Sequence, residues 1–126
     1  MKEPVWIDRN VVLVMHDELL FEFGGASGFR DEALLDSALA RPQNLFLYET
    51  PDHFGLAAAY IHGIVRNHPF VDGNKRTGYV VGGIFLERNG KILMVSEEEA
   101  MAIILDLASR KIMEEELAVW LRKNCR

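Results

Sequence analysis

Residues 68–76 read His68-Pro69-Phe70-Val71-Asp72-Gly73-Asn74-Lys75-Arg76, and the fold turns on how this run is parsed. Pro69 disfavours helical geometry at the residue before it, so a helix arriving from the N-terminal side stops at His68. Gly73 tolerates positive φ and leaves the backbone open to a ligand. A new helix starts near Asn74, and its first turn offers unpaired N–H groups carrying partial positive charge. The run is thus a helix–loop–helix junction that gathers a base, a carboxylate and an anion cradle.

Working outward, the incoming helix spans about Pro51 to Asn67 and carries Ala57, Ala58, Tyr60, Ile61, Ile64 and Val65. The outgoing helix runs to Arg88, with Val80, Val81, Ile84 and Phe85 predicted to be buried. Gly78, Gly82 and Gly83 weaken it by up to about 1 kcal/mol each relative to alanine. That cost implies neighbours packed against its backbone and a central position. Before the junction, Asp8 caps a helix whose stripe is Val12, Met15, Leu19 and Phe23, ended by Gly24-Gly25. Gly28-Phe29-Arg30-Asp31 then turns into a second helix through Leu34, Leu35, Ala38 and Leu39, stopped by Pro42. Residues Gln43 to Tyr48 alternate as a strand does and are predicted to form an exposed extended flap. After the junction, Asn89-Gly90 stops the chain, Lys91 to Val95 is extended, and Ser96-Glu97-Glu98-Glu99 forms a capping box. A fifth helix shows Met101, Ile104, Leu105 and Ala108, and a sixth Met113, Leu117, Trp120 and Leu121. The expectation is an all-α six-helix bundle with a short β-hairpin flap, one domain over residues 1–126.

Composition narrows the function classes. The 126 residues carry a net charge of -5, which argues against general affinity for nucleic acid or anionic membrane. The one cysteine, Cys125, makes no intramolecular disulfide, and no Cys/His spacing suggests zinc. No signal-peptide order and no apolar run long enough to span a bilayer is present, so a cytoplasmic protein is expected.

The chemistry available at the junction is specific. His68 has the ordinary pKa of a base that works near neutrality and could deprotonate an incoming hydroxyl. Asp72 is a hard oxygen ligand suited to Mg²⁺ held against nucleotide phosphates. Gly73 and the following N–H groups can form a nest for an anion, with Lys75 and Arg76 adding full positive charge. Phe70 and Val71 anchor the loop. The layout suits phosphoryl or nucleotidyl transfer, in which catalysis is mostly positioning and charge neutralisation.

This run resembles the signature of the Fic/Doc family, and is closest to the Doc (death-on-curing) branch, toxins of prevent-host-death/Doc modules. Gly24-Gly25, Arg30 to Leu35, Ser37 to Pro42 and Phe85 to Gly90 are similar to Doc-type sequence as well, so the resemblance covers nearly the whole chain. It implies that His68 is the general base and Asp72 the Mg²⁺ ligand. Gly73 and Asn74 would line the anion hole, and Lys75 and Arg76 would hold the transferring phosphate of ATP. The flap at Gln43 to Tyr48 would hold a target peptide by strand addition. In the Doc branch the reaction is phosphorylation of a threonine of elongation factor Tu, which arrests translation. Two departures separate the chain from the adenylyl-transferring Fic pattern: Lys75 stands where that pattern has a second glycine, and Tyr79 where it has a further arginine. Both are also seen in Doc, whereas Gly73 is the Fic residue where Doc often has alanine. Transfer of AMP is therefore the second reading, and a non-catalytic peptide-binding module a third.

The other histidines read as structural. His62 and His16 are expected at the interior or rim, with His16-Asp17 able to support the loop from below, and His53 at a helix start on the surface. Arg66 reads equally well as a phosphate contact or a solvated side chain. Many Fic proteins restrain themselves through an inhibitory helix containing Glu-Gly or Glu-Asn, and neither pair occurs here. Restraint is then expected from a separate antitoxin of the prevent-host-death type, its C-terminal tail folding as a helix into a groove.

Overall fold

A computed structural model describes residues 2–126 and contains six helices: α1 (Arg9–Phe23), α2 (Glu32–Tyr48), α3 (His53–Asn67), α4 (Asn74–Arg88), α5 (Glu97–Ala108) and α6 (Glu114–Lys123). Four of the N-termini are closed by side chains that the sequence places there. Asp8, Asp31, Asp52 and Ser96 accept backbone N–H bonds from Asn10, Leu34, Gly55 and Glu99. Gly24, with φ 84°, ends α1.

The centre of the bundle is α3 rather than α4. It packs against α2, α4, α5 and α6, and Leu56 to Ile61 together with Gly63, Ile64 and Val65 are buried. Glycine explains how closely the neighbours approach. A Cβ at Gly82 would lie 2.5 Å from Ile61, one at Gly78 2.8 Å from Val65 Cγ2, and one at Gly63 2.8 Å from Ala38. Gly83 is different: nothing lies within 4 Å of its Cβ position, so packing does not require glycine there.

The expected flap is overturned. Residues 43–48 continue α2, and Pro42 lies inside the helix, buried. An interior proline costs about 3 kcal/mol through the lost hydrogen bond and ring clash. Against this stands the helical stripe Leu35, Ala38, Leu39, Pro42, Leu45 and Phe46, which faces the core. Phe46 meets Trp6 edge-on at 5.6 Å. Each such side chain contributes roughly 1.5–3 kcal/mol when fully buried, so keeping the helix outweighs breaking it. Leu47 and Tyr48, one from each side of the apparent alternation, are left exposed.

Extended pairing among the described residues is confined to isolated bridges. Leu93 pairs with Cys125, with Ile92 and Arg126 exchanging bonds of 3.1 and 2.8 Å. Phe29 pairs with Phe70, which ties the segment between α1 and α2 to the loop between α3 and α4. No helix is long and apolar enough to cross a membrane.

Candidate active site

The α3–α4 loop is built from both ends. His68 terminates α3 in the left-handed region (φ 58°, ψ 56°), its N–H bonded to Ile64 O at 3.2 Å. Its ring is exposed and bonds to none of the described residues. Arg30 holds this terminus from the side, donating Nε–H to His68 O and Nη2–H to Asn67 O, both at 2.6 Å. The N–H groups of Arg30 and Asp31 bond to Pro69 O, and Val71 N–H bonds to Gly28 O. Residues 28–31 are therefore a second strap over the loop. Sequence reasoning took this stretch for a simple turn; its signal was Arg30 among closely spaced glycines.

At the other end, Gly73 is the N-cap of α4 with φ 82° and ψ 13°, and it supplies no side-chain cap. The Asn74 side chain turns back instead, accepting from Phe70 N–H at 3.0 Å and donating to Phe70 O at 2.9 Å. Asn74 thus shapes the loop with its amide and leaves only its backbone N–H for a ligand. Phe70 is buried beneath, stacked on Phe29 and on His16, the latter at 3.7 Å and 11°. His16 does support the loop from below: its Nε2 lies 2.8 Å from Asp72 O.

Asp72 is exposed, with Oδ2 accepting from Ala26 N–H at 2.7 Å, which leaves Oδ1 uncommitted. Lys75 is exposed and forms no ion pair among the described residues. Arg76 is held aside: its guanidinium lies 3.8 Å over the Phe23 ring and bonds to Glu97 Oε1 at 3.2 Å. Such a cation–π contact adds to the ion pair. Tyr79, where the Fic pattern would have arginine, is half-buried, and burial followed by the charge of Glu97 raises its pKa, so it stays neutral.

All six residues expected to carry the chemistry (His68, Asp72, Gly73, Asn74, Lys75 and Arg76) line one cavity of about 280 Å³, closed on its other side by Leu19, Leu20, Phe23, Gly24 and Met101. A larger cleft of about 610 Å³ runs between α2 and α3. Its cationic groups are already paired, Arg41 and His62 both meeting Glu114, and burial lowers the His62 pKa. The smaller cavity is the candidate site, because it brings together the unbonded His68 ring, Asp72 Oδ1, Lys75 and the free N–H groups that open α4. Among the described residues no three His, Cys, Asp or Glu side chains gather as a metal cage. One carboxylate with an open oxygen beside an anion cradle fits a magnesium ion that shares its coordination with nucleotide phosphates.

A helical bundle whose α3–α4 junction carries this signature is the mark of one group of proteins, and the chain belongs to the Fic/DOC family, whose model matches residues 6–86. Among its relatives is a Toxin Doc of Mycolicibacterium smegmatis, 40% identical over 87 residues, which are 68% of this chain and 65% of that protein. Another is Protein kinase doc of Escherichia phage P1, 29% identical over 118 residues, 93% of each chain.

Proposed function

We propose that this chain is the toxin of a toxin–antitoxin module and a protein kinase of Doc type, transferring the γ-phosphate of Mg-ATP to a Ser/Thr hydroxyl of a translation factor, elongation factor Tu in the first instance. The observation that carries the reading is the His68 ring at the end of α3, without a partner among the described residues, facing one cavity together with the N-terminus of α4, which has no side-chain cap. The name of the phage relative, a protein kinase, favours phosphate as the group transferred.

In this reading His68 accepts the proton of the attacking hydroxyl as its oxygen bonds to the γ-phosphorus and the bond from that phosphorus to the β–γ bridging oxygen breaks, with ADP leaving. The N–H groups of Gly73 to Arg76 and the Lys75 ammonium neutralise charge on the transferring group. Asp72 Oδ1 and the phosphates would hold Mg²⁺, which when bound supplies further charge neutralisation on the phosphate oxygens. Arg76 joins them by exchanging Glu97 for phosphate, a better match to its planar fork. With residues 43–48 helical, that segment offers no strand edge to the acceptor peptide. Transfer of AMP is kept as a second reading because Gly73 has φ 82°, a conformation alanine adopts only with strain.

The antitoxin tail would seat as a helix along the cleft of about 380 Å³ between α1, α4 and α5, where Leu19, Phe23, Val80 and Met101 give an apolar lining and Glu22, Arg76 and Glu97 add charge. That cleft shares Leu19, Phe23, Arg76 and Met101 with the candidate site, so its occupant would obstruct transfer. The test is the intact mass of elongation factor Tu after incubation with the protein, Mg²⁺ and ATP. One phosphate increment, lost with His68→Ala, is the expected result. An AMP increment would replace the kinase reading by the second one. Undiminished toxicity of His68→Ala would refute both and leave a non-catalytic module.

A further inference from the structure

His16 is 3% exposed, lies on α1 and is outside the signature, yet its side chain makes a close polar contact with the backbone at the loop's turning point. Its ring is sandwiched flat against Phe70, 3.7 Å between centroids and 11° between planes, which fixes where Nε2 points. The partner at 2.8 Å is the carbonyl oxygen of Asp72. A carbonyl can only accept, so Nε2 carries the proton and donates it.

The consequence follows from the planarity of the peptide unit. In a trans peptide the C=O and the next N–H point in opposite directions, and no peptide bond here is cis. With Asp72 O drawn down onto the buried imidazole, the Gly73 N–H must point away from it, to the cavity side. Gly73 N–H bonds to none of the described residues. A side chain at residue 73 would be strained by its φ of 82°, and its Cβ would lie tightly against Leu20 Cδ2 at 3.3 Å and in contact with His16 Cδ2 and Nε2 at 3.5 Å. A hydrogen bond accepted at a carbonyl also polarises its peptide and strengthens the N–H on the far side.

We propose that His16 is a positioning residue of the site, which sets the orientation of the Asp72–Gly73 peptide from below and so aims the Gly73 N–H into the anion cavity as its first donor. The inference rests on the anion-binding reading above, and concerns no proton transfer by His16 itself. The imidazole is a buried setting screw for the nest, and without it that peptide is free to turn over and present a carbonyl oxygen to the anion.

The experiment uses two variants and the wild-type protein. His16→Phe keeps the stack on Phe70 and removes the donor, and His16→Gln restores a donor at about the reach of Nε2. Inorganic phosphate is titrated while the Gly73 backbone amide is followed by NMR. The wild-type amide should shift strongly and saturably. His16→Phe should bind phosphate at least tenfold more weakly and lower kcat for the acceptor with its KM unchanged, and His16→Gln should recover part of both. A wild-type Gly73 amide that ignores phosphate overturns the proposal, as does a His16→Phe protein that binds and turns over normally. So does equal loss in both variants in step with loss of folded protein, which would make His16 a core residue only. The phosphate titration needs no turnover, so an inactive wild-type protein would count against the kinase reading while the role of His16 is still decided.

Discussion

Replacing Asn74 by alanine removes the one side chain that closes the loop on itself. Asn74 is 2% exposed and bridges both polar groups of the Phe70 backbone, at 3.0 and 2.9 Å, while Phe70 is 1% exposed. Two hydrogen bonds contribute about 1 kcal/mol each, and stranding a buried N–H and C=O costs roughly 1–3 kcal/mol apiece. The loop can relax to admit some water, so a loss of about 3 kcal/mol is expected. For a chain of this length that corresponds to a fall in Tm of roughly 10 °C. Urea unfolding should show the midpoint lowered with the slope unchanged, since the surface exposed on unfolding is the same. Asn74→Asp keeps an acceptor for Phe70 N–H but sets a carboxylate oxygen against Phe70 O, so it should recover little. An alanine variant within about 0.5 kcal/mol of wild type, below the range expected for one lost buried bond, would refute the argument and show that the strap at residues 28–31 holds the loop alone.

Two glycines of α4 should respond to alanine with opposite signs. Gly82→Ala drives a methyl to 2.5 Å from Ile61 and should destabilise by about 1–3 kcal/mol, whereas Gly83→Ala meets nothing and should stabilise by a few tenths to about 1 kcal/mol; equal effects in chemical denaturation would contradict the packing. Arg30→Lys loses the fork that spans Asn67 O and His68 O, and a single ammonium cannot replace it. Because small misplacements of a reacting group cost up to about 100-fold, toxicity or transfer rate should drop by roughly tenfold or more with the fold intact by circular dichroism, and a wild-type rate would show that His68 needs no such brace. Acidification should also weaken the fold. Burial lowers the pKa of His53 and of His62 from 6.5, with Lys91 reinforcing it for the first and Arg41 and Arg66 working against Glu114 for the second. A lowered folded-state pKa means that the unfolded chain binds more protons just below 6.5, so this stability is complete above that pH and is lost as pH falls through it. The urea midpoint should therefore fall between pH 7.5 and 5.5, less so in a His53→Gln/His62→Gln double variant; a midpoint that rises would reverse the assignment.

The parts of the fold legible in the sequence are those set by local chemistry. Asp8 and Ser96 are legible as helix starts because a short oxygen-bearing side chain satisfies the first free N–H groups, and Asp31 and Asp52 do the same in the structure. The junction at His68 and Asn74 was legible because Pro69 and Gly73 act on the backbone locally. What escaped was decided by distant contacts. The alternation of Leu45, Phe46, Leu47 and Tyr48 fits a strand and a helix equally well over so short a window. Only Trp6 and the core decide that Phe46 and Leu45 go inward together. Gly83 gives no local sign that it differs from Gly82. Arg30 and Ala26 touch the site through contacts with residues 38 and 46 positions away in sequence, a separation no periodicity reports.

The polar groups of the junction divide into two sets, and the division is itself an argument for a ligand. One set is fully committed to shape: the Asn74 amide on Phe70, the Arg30 fork on α3, Ala26 N–H on Asp72 Oδ2 and His16 on Asp72 O. The other set, consisting of the His68 ring, Asp72 Oδ1, Lys75 and the N–H groups that open α4, has no partner among the described residues. A serine or aspartate cap typically contributes about 1 kcal/mol over alanine, and α1, α2, α3 and α5 each have such a cap. At the start of α4 the corresponding place is held by Gly73 in a left-handed conformation that a side chain would strain, with Leu20 and His16 close beside it. A cap there would complete the helix and fill the cavity. Leaving it out forgoes local stability and keeps several donors and one carboxylate oxygen open on the same small volume, which is the arrangement an incoming anion with a cation on its oxygens can complete.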